Sequence, residues 1–205
     1  MKTLLIITGP QGSGNHLFSK IFAATPGVTG WSELNDKYWV PHKDEPFAEA
    51  WTDPSKLKDI SFDKYAVTSI SCPFVGSTGI NTPRYIDFIN EAKSLGYKIK
   101  LAIIGRDQNI LRLQQQRIRG RETLDMFESR VPDLLQFGPC FLSTELLYLY
   151  KSNYLKTISK QLEFPIWVSR EKLDEILATD SNAKYMSQCD LQPLDMHVIN
   201  INKPE

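Results

Sequence analysis

Apolar residues run without a break from Leu4 to Ile7, with the β-branched Thr3 and Thr8 on either side. An unbroken apolar run of that length predicts a strand covered on both faces. Gly9 to Gly14 follows, rich in glycine and unfit to continue either regular structure. Leu17, Phe18, Ile21 and Phe22 then recur at helical spacing, which predicts a helix from about Gly14 to Ala24, ended by Pro26-Gly27. Tyr65 to Ser71 reads as a second buried strand stopped at Cys72-Pro73. Pro83 opens a helix whose Tyr85, Ile86, Ile89 and Ala92 share a face, and Gly96 closes it. Lys98 to Ile104 is a third strand. Helices are expected over Asn109 to Ile118, Thr123 to Leu135 and Ser143 to Gln161. Phe164 to Val168 reads as a fourth strand and His197 to Ile201 as an edge strand. Strands alternating with helices imply βαβ crossovers, hence a three-layer αβα fold with a mainly parallel sheet, of the P-loop nucleoside triphosphate hydrolase-like kind. Residues 1–205 show no internal repeat, linker or low-complexity tract and are expected to form one domain.

In such sheets ligands sit beyond the carboxyl ends of the strands, so the loops starting at Gly9, Cys72 and Gly105 matter most. The first reads Gly9-Pro10-Gln11-Gly12-Ser13-Gly14-Asn15-His16. It keeps the first part of the phosphate-loop pattern G-x-x-x-x-G, between a buried strand and a helix. Backbone N–H groups of such a loop converge on an anion, and the positive end of the helix dipole adds to the attraction. The full nucleoside-triphosphate pattern continues with Lys and then Ser or Thr. Here Asn15 and His16 stand instead, so the ammonium that neutralises the β- and γ-phosphates and the hydroxyl that holds magnesium are both missing. An anion carrying less charge at its transferred end suits this loop better than a magnesium triphosphate.

Composition narrows the choice. Lys and Arg number 24, as do Asp and Glu, and the balanced charge argues against broad binding to nucleic acid or an anionic membrane. No apolar run approaches the roughly 20 residues that span a bilayer. Cys72, Cys140 and Cys189 form no close pair, which fits reduced thiols in a cytoplasmic protein, and His16, His42 and His197 are too scattered for a zinc site. No metal site is expected.

The segment from Thr8 to Glu33, with its loop, helix, Thr25-Pro26-Gly27 stop and Trp31-Ser32-Glu33, resembles the opening of sulfotransferases that use 3′-phosphoadenosine-5′-phosphosulfate. The resemblance implies that Gly9, Pro10, Gln11, Gly12, Ser13, Gly14, Asn15 and His16 bind the 5′-phosphosulfate end of that donor. It makes Glu33 the base that takes the proton of an acceptor hydroxyl, with His16 donating to the cofactor. It recurs at Ile103-Ile104-Gly105-Arg106-Asp107, where Arg106 matches the arginine on the donor's 3′-phosphate, a role that suits a planar guanidinium. Gln114 stands where the family has a serine on the same phosphate. The family's loop lysine or arginine is absent, Gln11 and Gly12 holding those positions, and Lys20 lies one turn further along the helix. The implied activity is sulfuryl transfer to a hydroxyl of a small molecule or glycan.

Two other readings stand beside it. Arg112, Arg117, Arg119, Arg121 and Arg130 crowd one region, as in the arginine-bearing lid of nucleoside and nucleotide kinases. The loop also fits a non-catalytic anion- or nucleotide-binding module. Between the first helix and the second strand, Trp31, Tyr38, Trp39, Phe47 and Trp51 are expected to pack mainly as a hydrophobic cluster, while Tyr38 and His42 are within reach of an acceptor hydroxyl. The loop from Pro73 to Thr82 is a candidate cover for the site.

Overall fold

A computed structural model describes residues 1–31, 34, 41–76 and 79–179, with the backbone alone at 118 and 119. Five strands make one sheet, all neighbours parallel: β1 (Thr3–Pro10), β2 (Val28–Thr29), β3 (Tyr65–Cys72), β6 (Lys98–Gly105) and β7 (Cys140–Ser143), in the order β2-β3-β1-β6-β7. A separate antiparallel ribbon joins β4 (Phe74–Gly76) to β5 (Gly79–Asn81). The helices are α1 (Asn15–Ala23), α2 (Tyr85–Ser94), α3 (Gln108–Arg119), α4 (Leu124–Glu128), α5 (Val131–Leu135), α6 (Thr144–Leu162) and α7 (Arg170–Thr179). Short 3₁₀ turns at His42–Asp44, Glu49–Trp51 and Pro54–Asp59 occupy the connection to β3.

β1 explains the architecture. Every one of its residues is buried, because it lies between β3 and β6 and has helices over both faces. Leu4 and Ile6 point into a core built with α2, α4 and α5, where Trp51 stacks on Phe88 at 3.8 Å. Leu5 and Ile7 point the other way, into a core shared with α1, α6 and α7. This is the three-layer, mainly parallel α/β arrangement that the apolar pattern leads one to expect.

Two expectations need correcting. The fourth long-range strand is β7, not Phe164 to Val168; β7 pairs with β6 from Ala102↔Cys140 to Gly105↔Ser143. Phe164 to Val168 forms no strand, since Pro165 has no N–H for a ladder, and Trp167 N–H instead donates to Thr25 Oγ1 at 2.9 Å. The helix expected over Thr123 to Leu135 is two short helices, α4 and α5, broken at Ser129-Arg130 with Pro132 in the first turn of α5. His197 to Ile201 lies outside the described residues.

Candidate anion site at the first crossover

The connection leaving β1 leads toward β3 on one side, while β6 lies on the other, so the carboxyl end of β1 is where the chain direction divides. The glycine-rich loop sits there. Gly14 adopts φ +109° as the residue before α1, and a Cβ on it would stand 2.9 Å from Thr144 Oγ1. A Cβ on Gly9 would stand 2.5 Å from Ser13 Oγ and 3.0 Å from the Ile104 carbonyl. Glycine is required at both places, once for the left-handed backbone and once for the close approach.

Side chains from elsewhere in the chain hold three consecutive loop carbonyls. Gln115 Nε2 donates to the Gln11 carbonyl at 2.8 Å, Arg106 Nη1 to the Gly12 carbonyl at 2.7 Å, and Thr144 Oγ1 to the Ser13 carbonyl at 2.6 Å. Thr123 N–H donates to Gln115 Oε1 at 2.7 Å and so fixes that amide in turn. With the carbonyls tied on one side, the peptide planes are set and the N–H groups lie on the other. The Ser13 N–H closes a turn on the Pro10 carbonyl at 3.1 Å. The first turn of α1 has N–H groups without helical acceptors, no side-chain cap and no acidic residue. By contrast, Asp107 caps α3 through Ile110 N–H and Ser143 caps α6 through Leu146 N–H, at 2.9 and 3.1 Å. The starts of α2, α4 and α5 also lack a side-chain cap, but each has an acidic residue in its first turn, Asp87, Asp125 and Asp133, whereas α1 has neither, which suits an oxyanion.

Arg106, just past the end of β6, reaches the glycine-rich loop. Its side chain is 1% exposed, with Nε 4.0 Å from Glu145 Oε1 and Nη1 bonded to both the Gly12 carbonyl and Gln114 Oε1. These contacts make it a strut beneath the loop. Gln114 is buried with it. Of the arginines further along, Arg112 is engaged by Glu122 and Asp125 at 2.8 and 3.2 Å on the surface of α3.

On the α1 side, Asn15 occupies the position of the missing lysine. Its Nδ2 donates to Ser13 Oγ at 3.3 Å and to Ser71 Oγ at 3.2 Å, tying α1 to the end of β3. The His16 ring lies 5.0 Å from the Trp31 ring, and Trp31 meets His42 edge-on at 5.9 Å. His42 Nε2 bonds the Ser69 carbonyl at 2.9 Å. A carbonyl only accepts, so Nε2 carries the proton and Nδ1 keeps its lone pair. Burial pushes the His42 imidazole down to about 4, against the pull of that hydrogen bond and with a small push from His16. Glu45, on the same turn, is enclosed and takes the Phe47 N–H at 2.8 Å; burial pushes its carboxyl up to about 8, opposed by Thr68, Phe47 and Ser69.

Trp51 and Phe47 belong to the α2-side core, as expected of a hydrophobic cluster, while Trp31 packs apart from it beside the loop. Glu33, Tyr38 and Trp39 lie outside the described residues. Trp31 and His42 meet across a long connection, and residue spacing carries no signal of that contact. Among the described residues no group of His, Cys, Asp and Glu could hold a metal ion, and no helix is long and apolar enough to cross a membrane.

No protein-family profile matches the sequence, and no curated protein is similar to it in sequence. Among solved structures, mouse sulfotransferase SULT7A1 complexed with PAP is similar at 12% identity, with a TM-score of 0.39. The alignment takes in 90% of this chain and spans 66% of that protein's length. The chemistry of the loop therefore rests on its own geometry.

Proposed function

We propose that the protein is a sulfotransferase that moves a sulfuryl group from 3′-phosphoadenosine-5′-phosphosulfate to an acceptor hydroxyl. The observation that carries this reading is the open start of α1, with three loop carbonyls held back and neutral Asn15 where a lysine would meet a terminal phosphate. Main-chain N–H groups of Gly12, Gly14, Asn15 and His16 hold the phosphosulfate, the Ser13 N–H being taken by the Pro10 carbonyl. The acceptor oxygen forms a bond to sulfur while the bond from sulfur to the phosphate oxygen breaks, leaving adenosine 3′,5′-bisphosphate. Glu33 is the proposed base for the acceptor proton, and His16, one residue into the helix, the donor to the phosphosulfate. Arg106 and Gln114, proposed from the resemblance for the 3′-phosphate, act in this reading on the loop, and the buried guanidinium adds positive charge beneath the anion. Positioning and fixed dipoles supply most of the rate, since sulfuryl transfer asks for little covalent chemistry from the protein.

The test is a thermal-shift comparison of adenosine 3′,5′-bisphosphate with ATP and magnesium. A ligand that binds only the native state stabilises it by about 2.7 kcal/mol at 100 times its Kd. The bisphosphate is expected to raise the midpoint, and ATP with magnesium to leave it near its starting value. A shift with ATP and magnesium alone would point to phosphoryl transfer instead, and no shift with either would remove the nucleotide reading.

A further inference from the structure

Side chains alternate across a strand. On β3, Ile70 and Cys72 enter the α2-side core and Val67 the α1-side core, so Ser69 and Ser71 face α1. Ala66 to Ile70 are buried, whereas Ser71 is half-buried, so its hydroxyl stands where that face opens at the carboxyl end of the sheet. In the register of the sheet Ser71 lies beside Gly9, where the glycine-rich loop begins. Asn15, in the first turn of α1, reaches it from the helix side.

The hydrogen bonds fix which way the protons run. The Asn15 Nδ2 group has two protons and donates to two hydroxyls, Ser13 Oγ at 3.3 Å and Ser71 Oγ at 3.2 Å. A hydroxyl that accepts on a lone pair keeps its own proton for another acceptor, and none of the described residues takes the proton of Ser71. Ser13 is fully buried, so Ser71 alone of the pair presents its proton at the surface. It does so beside helix-start N–H groups that no side chain caps. Accepting from an N–H also polarises the hydroxyl and makes it a stronger donor. Asn15 is 5% exposed and both of its amide protons are engaged, so it acts through the serine.

We infer that the Ser71 hydroxyl donates a hydrogen bond to the anion held at the start of α1, and that Asn15 is the positioning residue that aims it. The inference rests on the transfer reading only for naming that anion a phosphosulfate. Ser71 approaches from the β3 side of the loop, and Arg106 supports the loop from the β6 side, with β1 between them. Asn15 stands where the full nucleoside-triphosphate pattern has a lysine, and with Ser71 it puts a neutral donor in place of an ammonium. A neutral donor orients an oxyanion without cancelling its charge, which suits a sulfuryl group better than the more highly charged end of a triphosphate.

The test titrates inorganic sulfate and, separately, adenosine 3′,5′-bisphosphate into ¹⁵N-labelled protein and follows the main-chain amides of Gly12, Gly14 and His16. In the wild type both anions are expected to move these peaks. Ser71→Ala is expected to weaken both roughly tenfold, the loss of one hydrogen bond to a charged group, while its melting midpoint without ligand stays near that of the wild type. Ser71→Thr keeps the hydroxyl and is expected to bind as the wild type does. Asn15→Ala is expected to weaken binding by a similar factor, and adding Ser71→Ala to it to weaken binding no further, because a hydroxyl that is not aimed contributes nothing. Wild-type sulfate affinity in Ser71→Ala, an equal loss in Ser71→Thr, losses at 15 and 71 that simply add, or wild-type loop amides that ignore sulfate would each overturn the inference. Sulfate binding that depends on Ser71, with the bisphosphate inert, would uphold the inference and remove the nucleotide reading, so the two fail separately.

Discussion

His42 and Glu45 share one turn and are pushed by burial in opposite directions, and stability must record both. A carboxyl that ionises near 4.5 when unfolded and at about 8 when folded leaves the native state holding more protons between those values. Its contribution is complete below 4.5 and is lost as pH rises toward 8. An imidazole that ionises near 6.5 when unfolded and at about 4 when folded does the reverse, and its contribution is lost as pH falls from 6.5 toward 4. Between about 4.5 and 6.5 the two slopes oppose each other; above 6.5 Glu45 acts alone. The unfolding free energy is therefore expected to be nearly level across the acidic window and to fall by roughly 2 kcal/mol from pH 6.5 to 8, at 1.36 kcal/mol for each pH unit, and the melting midpoint to fall with it. Glu45→Gln should abolish the fall and unmask the His42 slope, so that the variant loses stability as pH drops from 6.5 toward 4.5. A wild-type midpoint that climbs between pH 6.5 and 8 would show that the Glu45 carboxyl is not held neutral.

The loop is shaped by elements far from it in the chain: the end of β6 through Arg106, α3 through Gln115, and the first residue of α6 through Thr144. Thr144→Val keeps the shape of the side chain and removes the donor from the Ser13 carbonyl. Leaving a buried acceptor unpaired costs roughly 1–3 kcal/mol. Urea unfolding is expected to show that loss for Thr144→Val and near wild-type stability for Thr144→Ser, with the bisphosphate-induced shift reduced only in the valine variant. If valine is tolerated without loss, the Thr144 bond does not hold the loop. The loop itself, with β1, α1, β3, α2 and β6, was legible from the sequence, because each joins a long apolar pattern to a glycine or proline stop. β7 was not: its four residues lie between Gly138-Pro139 and the start of α6 at Thr144, too few to show a period. The run from Phe164 to Val168 offered a better apolar pattern and no ladder donor at Pro165. For Arg106, the contacts with the loop were not legible. Its burial depends on the Gly12 carbonyl and Gln114 Oε1 lying beside it, which only the assembled fold arranges.

At the scale of the whole molecule, two apolar cores among the described residues lie on opposite faces of the sheet. The middle strand serves both, since alternate residues of β1 enter opposite cores. A chain folded this way should unfold as one unit, because neither core can lose its wall without exposing the other. Trp51 reports on one side, where it stacks on Phe88 and donates through Nε1 to Thr68 Oγ1 at 3.1 Å. Leu5 faces the other side and is fully buried. Leu5→Ala removes methyl groups from the α1 core and is expected to cost roughly 2–5 kcal/mol. The change never touches Trp51. If the sheet couples the cores, the tryptophan fluorescence midpoint in urea should nevertheless move to lower denaturant by the same amount as the far-ultraviolet circular dichroism midpoint. Trp31→Phe, Trp39→Phe and Trp167→Phe, combined in the background, leave the signal to Trp51. A fluorescence midpoint that stays in place while the dichroism splits into two steps would mean that the two sides unfold separately, and that the loop at the end of β1 is anchored by one core alone.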